Sequence, residues 1–161
     1  NEIRPNQLFA ISLPFGLIDD AKKAKTILKL VEEHLYTPVG LRSLPKSDAH
    51  YIPVYGGDAW HRDSSYHQGT VWSWLLGAYV DAVMKVEKKP AKAKKIIEAF
   101  KYHLNEGCIG QVSEIFDADE PHHPRGCVAQ AWGVAEVLRV MKEYELYALK
   151  KKKRVQEMSE A

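Results

Sequence analysis

Apolar residues recur along this chain at the spacing of a helix rather than of a strand. Ala24, Ile27, Leu28, Val31 and Leu35 fall on one face of a helix that Asp19 or Asp20 can cap and that Thr37-Pro38-Val39-Gly40 ends. A wider stripe of Val71, Trp72, Leu75, Leu76, Tyr79, Ala82, Val83 and Val86 predicts a well-buried helix starting near Gly69 or Thr70. Pro90 suits the first turn of a third helix, with Ile96, Ile97, Phe100 and Leu104 turned inward and Gly107 as its stop. Val128, Ala131, Trp132, Ala135, Leu138 and Met141 mark a last helix, and Leu8 to Leu13, closed by Pro14, reads as a short buried one. No strand alternation stands out, so the predicted fold class is all-α.

Two long segments break the helical pattern. Residues 40–67 include Pro45, Pro53, Gly56 and Gly57, which forbid a continuous helix, together with Tyr51, Tyr55, Trp60 and Tyr66. Residues 107–126 are irregular as well. Loops of this length without structure of their own are uncommon and often functional. The aromatics of the first loop serve either as a sugar platform or as pins that hold the loop to the body. A long loop after every second helix is the layout of paired-helix toroids, whose loops gather at one end around an active site; that step is an analogy between folds.

Composition narrows the classes. Apolar residues make up 45% and charged residues 27%, which fits a soluble globular chain and excludes wholesale disorder. The net charge of +2 is unevenly placed. Five of the 23 Lys and Arg are Lys150 to Arg154, and two of the 21 Asp and Glu lie beyond them, so residues 1–149 carry a net of −1. The body is neutral and residues 147–161 read as a solvated basic tail, which gives no reason to expect a nucleic-acid partner. No stretch approaches the ~20 apolar residues of a membrane span. Two cysteines, Cys108 and Cys127, form neither a disulfide framework nor a metal-binding pair, which points to a reducing, cytoplasmic location. The opening residues do not read as a signal peptide, lack an initiator Met and are patterned almost at once, as in a chain cut from a longer one.

Candidate chemistry gathers in the loops. Glu114 stands in Ser113-Glu114-Ile115-Phe116-Asp117, with apolar neighbours at 112, 115 and 116. A carboxylate in such company can be partly desolvated, and desolvation favours its protonated form, which suits acid or base work. Asp117 and Asp119 are further carboxylates in that loop, and Asp63 is one in the first. Tyr66, His67, Gln68 and Trp72 lead out of the first loop; their side chains can bond sugar hydroxyls or stack on a pyranose, or they form an ordinary helix start capped near Thr70. Arg4, Asn6 and Gln7 carry donors fit for hydroxyls or for bonds between helices. His122 and His123 have no third ligand at metal spacing, Cys127 has no evident base, and no phosphate loop of the GxxxxGK type occurs.

Three segments taken in order resemble one family: RPNQLFAISLP at 4–14, SYHQGTVWSWLLGAYVDA at 65–82, and GQVSEIFDADEPHHPRGCVAQAWGVAEVLRV at 110–140. They are similar to the C-terminal half of the amylo-α-1,6-glucosidase domain of glycogen debranching enzymes of the bacterial and archaeal type. The resemblance covers about residues 2–146. It implies an (α/α)6 barrel of which this chain supplies roughly the last half, with residues 1–146 belonging to the catalytic domain. It implies an inverting glycoside hydrolase that cuts α-1,6-linked glucose from branched α-glucans such as glycogen, with no metal and no organic cofactor. On that resemblance Glu114 is the general base that activates water. Arg4, Asn6, Gln7, Tyr66, His67, Gln68 and Trp72 are substrate-shell residues, and Trp132 is a weaker candidate that helical spacing also explains as core.

The resemblance places the general acid, an Asp, on an earlier part of the barrel, so the expected partner of this chain is the N-terminal remainder of the same enzyme. A half barrel alone exposes apolar faces and is expected to self-associate. Two departures stand out: the family usually reads TVWPW where Ser73 stands here, and often has Pro at the position of Ala78. Two other readings stay open, a different toroidal α-glucosidase such as a trehalase-like enzyme, and a non-catalytic helical interaction module.

Overall fold

The computed structural model describes residues 2–146. The basic tail predicted at 147–161 lies outside the described residues. A 3-10 turn at Pro5–Leu8 runs into α1, Phe9–Ser12. Helix α2 spans Ala21–His34, and the Asp20 carboxylate caps it by accepting from the N–H groups of Lys22 and Lys23 at 2.8 and 3.1 Å. It buries Ala24, Leu28 and Val31, the face its spacing predicts. Strands β1, Tyr36–Thr37, and β2, Gly40–Arg42, follow as a hairpin. Then come α3, Ala59–Ser65, and β3, Val71–Trp72. Helices α4, Leu75–Val86, and α5, Pro90–Phe100, are separated by a short link, and α5 tightens into a 3-10 turn at Lys101–Asn105. Strands β4, Ile115–Phe116, and β5, Pro124–Arg125, precede α6, Ala131–Glu143.

The all-α expectation, and with it the half of an (α/α)6 barrel that the resemblance implies, is corrected by a five-stranded antiparallel sheet ordered β1-β2-β3-β4-β5. With six α-helices beside it among the described residues, the fold is mixed. The sheet crosses both segments read as irregular, and α3 lies inside the first of them. It also takes Val71 and Trp72 out of the helix predicted to begin at Gly69 or Thr70: they form β3, and α4 begins only at Leu75. The physical reason is pairing on both sides. Leu41 lies opposite Trp72 and Arg42 opposite Val71, while Phe116 and Ile115 take the other edge. A β-branched and an aromatic residue suit such a position.

Helix α4 is the hub of the helical layer. It contacts α1, α2, α5 and α6 and buries residues on every side, from Leu75 to Val83. Helix α6 crosses it closely at Gly77, where a side-chain carbon would collide with the Glu136 side chain. Charges complete that crossing. Arg139 donates to both Asp81 oxygens at 3.2 and 2.7 Å and to Glu136, and the Tyr144 hydroxyl donates to Asp81 at 2.9 Å. On the other flank the Lys85 ammonium donates to the carbonyls of Ser12 and Leu13 at 2.6 and 2.5 Å, closing the open end of α1.

The hub makes a stability prediction. Leu76 is fully buried in α4, so Leu76→Ala should cost about 2–5 kcal/mol, the range of a lost methyl cluster plus its cavity. Leu138→Ala, on the exposed face of α6, should cost about 0.5 kcal/mol or less. Urea midpoints measured side by side check both, and equal losses would show that α4 is not the core of the fold.

Candidate functional site

Glu114 sits immediately before β4, tied at both its backbone groups. Its N–H donates to the Cys127 carbonyl at 2.9 Å, and its carbonyl accepts from the Ser73 N–H at 3.4 Å and the Ser73 hydroxyl at 3.1 Å. The half-buried carboxylate is tied as well. Oε1 accepts from the Tyr66 hydroxyl, and Oε2 accepts from the Cys127 N–H at 2.9 Å. The second bond needs Gly126. That residue has φ +65°, and a side-chain carbon on it would lie 2.5 Å from Oε2. Burial, and then the bond to Glu114, raise the Tyr66 pKa well above the usual phenol value, so Tyr66 remains a donor.

A cleft of about 520 Å³ opens beside this carboxylate. Arg4, Asn6, His67, Trp72, Trp74 and Trp132 are among its walls. The rings form a continuous array. His67 stacks on Trp72 at 5.2 Å and 5°, Trp132 meets Trp72 edge-on at 5.9 Å, and Trp74 stacks on Trp132 at 5.1 Å. Glu114 does not itself line the cleft. It adjoins the cleft through Tyr66, whose ring lies edge-on to Trp72 at 4.7 Å.

The residues singled out in the sequence therefore meet, with unequal placement. Arg4 reaches across from the N-terminal segment and donates to the carbonyls of Ser43 and His67 at 3.1 and 2.5 Å and to Gln68 Oε1 at 3.1 Å. Asn6 is exposed in the cleft wall, while Gln7 is half-buried and its side-chain nitrogen has no hydrogen-bond partner among the described residues. Trp132, read as a core alternative, is 42% exposed and belongs to the cleft. Sequence reasoning missed Ser73, Cys127 as a backbone donor, and Trp74. Ser73 is marked in the sequence only as a departure from TVWPW, and Cys127 acts through its backbone N–H, a contact that leaves no residue-type signature.

Asp117 and Asp119 are structural ties. Asp117 is buried, takes a forked bond from Arg125 at 2.8–3.1 Å, and accepts the Tyr55 N–H at 2.9 Å. Asp119 accepts from Lys46 at 2.5 Å and from Tyr51 at 2.8 Å; the Lys46 ammonium holds its carboxyl below the usual range. His122 is buried with Nδ1 2.9 Å from the Asp117 carbonyl, whereas His123 is exposed. Among the described residues no three His, Cys, Asp or Glu gather as metal ligands would, and no helix is long and apolar enough to cross a membrane.

Indoles that wall a cleft, hydrogen-bonding side chains at its rim and a carboxylate held from two sides have the make-up of a carbohydrate site. Comparison with known proteins gives the family. The chain belongs to the amylo-alpha-1,6-glucosidase family, whose model matches residues 1–139. It is 38% identical over 89 residues to the glycogen debranching enzyme of Saccharomyces cerevisiae (strain ATCC 204508 / S288c). That match takes in 50% of this chain and 6% of the yeast protein, so the chain spans a small part of its relative's length.

Behind Glu114 lies a pH-sensitive tie. His103 is 1% exposed, its Nε2 accepts the Ser113 N–H at 3.0 Å, and Phe116 packs edge-on against it at 4.6 Å. Burial lowers its pKa below the ordinary value of about 6.5, so the folded protein holds it neutral. The unfolded chain binds that proton more readily. The His103 contribution to stability is therefore complete above pH ~6.5 and is lost as pH falls below it. Urea midpoints at pH 7.5 and 5.5 should fall less steeply in His103→Gln than in the parent, and parallel slopes would remove His103 as the cause.

Proposed function

We propose that this chain forms part of the catalytic domain of a glycogen-debranching glucosidase, with residues 1–146 as its structural body. The reaction is inverting hydrolysis of α-1,6-linked glucose at branch points of glycogen or a related α-glucan, in the cytoplasm, with Glu114 as general base. The observation that carries the reading is the carboxylate of Glu114, fixed by Tyr66 and the Cys127 N–H beside an indole-walled cleft, in a chain of the amylo-alpha-1,6-glucosidase family. Each Glu114 oxygen accepts one bond here and keeps lone-pair capacity to orient a water. Arg4, Asn6, Gln7, His67, Gln68 and Trp72 are assigned to the sugar shell. Indole faces suit the C–H faces of a pyranose, and the amide and imidazole groups suit its hydroxyls.

Inversion also needs a general acid on the opposite side of the sugar, with the two carboxyl groups ~6.5–9.5 Å apart. The carboxylates near Glu114 are poorly suited. Asp117 is forked by Arg125, Glu2 at the cleft is bonded to Arg4 at 2.9 Å, and Asp119 is held ionised by Lys46. The acid is therefore assigned to polypeptide outside these 161 residues, and the chain alone is expected to be inactive.

Glucose release from a short α-1,6-branched maltooligosaccharide tests this, with the chain alone and joined to any sequence encoded ahead of it. Only the longer protein should turn over, and Glu114→Gln in it should lower kcat by about 10³-fold or more while sparing glucan binding. Undiminished turnover in that variant removes Glu114 from the mechanism. Tyr66→Phe should lower kcat roughly 10-fold, the scale of one hydrogen bond to a charged group, with KM nearly unchanged. A raised KM at constant kcat would place the Tyr66 hydroxyl on the sugar instead.

A further inference from the structure

The loop between β2 and β3 presents four aromatic side chains, and three have structural employment. The Tyr51 hydroxyl donates to Asp119 at 2.8 Å, and burial pushes its pKa up to about 12. Tyr55 packs on Tyr66 with ring centroids 5.7 Å apart, and its N–H is taken by Asp117. Tyr66 donates to Glu114. These three are the pins of the loop. Trp60 is not: it is 72% exposed, and among the described residues its one aromatic contact is the neighbouring His61, edge-on at 5.1 Å.

Exposure of a single apolar side chain says little by itself. Its mounting says more. Trp60 stands in α3, whose start is fixed by Asp58 accepting the His61 N–H at 2.9 Å and by Arg62 donating to the Gly57 carbonyl at 2.6 Å. The flanking backbone is sewn to the site, with the Ile52 N–H donating to Gln68 at 2.6 Å and the Ala118 N–H to Pro53 at 2.8 Å. Helix α3 ends at Ser65, directly before Tyr66. Six residues of helix rise set Trp60 about 9 Å along the axis from the residue that holds Glu114. That is a span covered by a chain of two sugar rings. The loop thus commits its bonds and its half-buried rings to holding α3 in place, and leaves its largest apolar plane facing water.

We propose that Trp60 is a stacking platform for the α-1,4-linked glucan chain that bears the branch, a binding subsite for the leaving-group portion of the substrate. The placement rests on the glucosidase reading of Glu114 given above. A flat indole in water suits the apolar face of an α-1,4-linked glucose, and a rigid mount lowers the ordering cost of binding. Trp60 takes no part in bond cleavage. It governs which substrates are held, favouring branches on long chains over branches on short ones.

The test uses the catalytically competent polypeptide that contains this chain. Maltoheptaose has no α-1,6 bond and is bound without being cut, so calorimetry reads the subsite apart from chemistry. Trp60→Ala should weaken maltoheptaose about tenfold, and Trp60→Phe should recover most of that loss. The same variants should hydrolyse α-glucosyl fluoride, which carries no glucan chain, at the parent rate. Unchanged maltoheptaose affinity in Trp60→Ala overturns the proposal, and so does an equal loss on α-glucosyl fluoride. Failure of the underlying reading looks different: Glu114→Gln would keep its hydrolytic activity whatever the calorimetry showed.

Discussion

Two residues, Val71 and Trp72, have backbone pairing on both edges, and the rest of the molecule is arranged around that constraint. One edge fastens β2, which follows directly from α2 and β1, and the other fastens β4, which Glu114 precedes. The same dipeptide supplies an indole to the cleft wall and, three residues on, leads into the hub helix α4. Buried backbone groups must be paired, so this dipeptide cannot shift without unpairing both neighbours. The position of the candidate carboxylate relative to the indoles is thus set by main-chain bonds, which are less tolerant of displacement than side-chain packing.

Around that strip the loops are rigid because their charged groups are committed to one another. The Asp117–Arg125 fork ties one loop to itself, while the Asp119 contacts to Lys46 and Tyr51 and the Arg4 fork to Ser43, His67 and Gln68 join segments far apart in the chain. Partly exposed pairs of this kind contribute little stability individually. Their effect is geometric. A forked guanidinium accepts few orientations, so each pair removes freedom from the loop that carries it. Carboxylates that sequence proximity offers as alternatives to Glu114 are consumed in this way, which leaves Glu114 as the loop carboxylate held by a hydroxyl and a backbone N–H rather than by a cation.

What could be read in the sequence follows from periodicity. Helices α2 and α5 last three turns or more and bury one face, so Leu28, Val31, Ile96 and Ile97 announce them. The strands are two or three residues long, too short for an alternating pattern, and Val71-Trp72 and Ile115-Phe116 are buried at both positions, so they mimic helical or loop apolar residues. That is why the sheet leaves no signal in the sequence and the pattern reads as all-α. At the site, Glu114 stood out because its apolar neighbours, Ile115 and Phe116, are β4 itself. Trp132 could not be sorted by spacing, since a residue on a helix face that lines a cleft keeps the same period as one that faces a core.

Ser73 shows how far a local reading can mislead. Judged against the TVWPW pattern, serine in place of proline reads as a change in helix geometry alone. In the structure Ser73 is fully buried. Its hydroxyl reaches the carbonyls of Ser113 and Glu114 at 2.8 and 3.1 Å, and its N–H faces the Glu114 carbonyl at 3.4 Å. A proline there has neither donor. The serine therefore adds side-chain and main-chain ties between the start of α4 and the residue carrying the candidate base. Its hydroxyl also lies where a side-chain carbon on Gly133 would come within 2.8 Å, so α6 can pack here only with glycine at that position. One substitution thus couples three elements. A chain with proline at this position must hold the Glu114 segment by other contacts, with Tyr66 and the Cys127 N–H carrying more of the constraint.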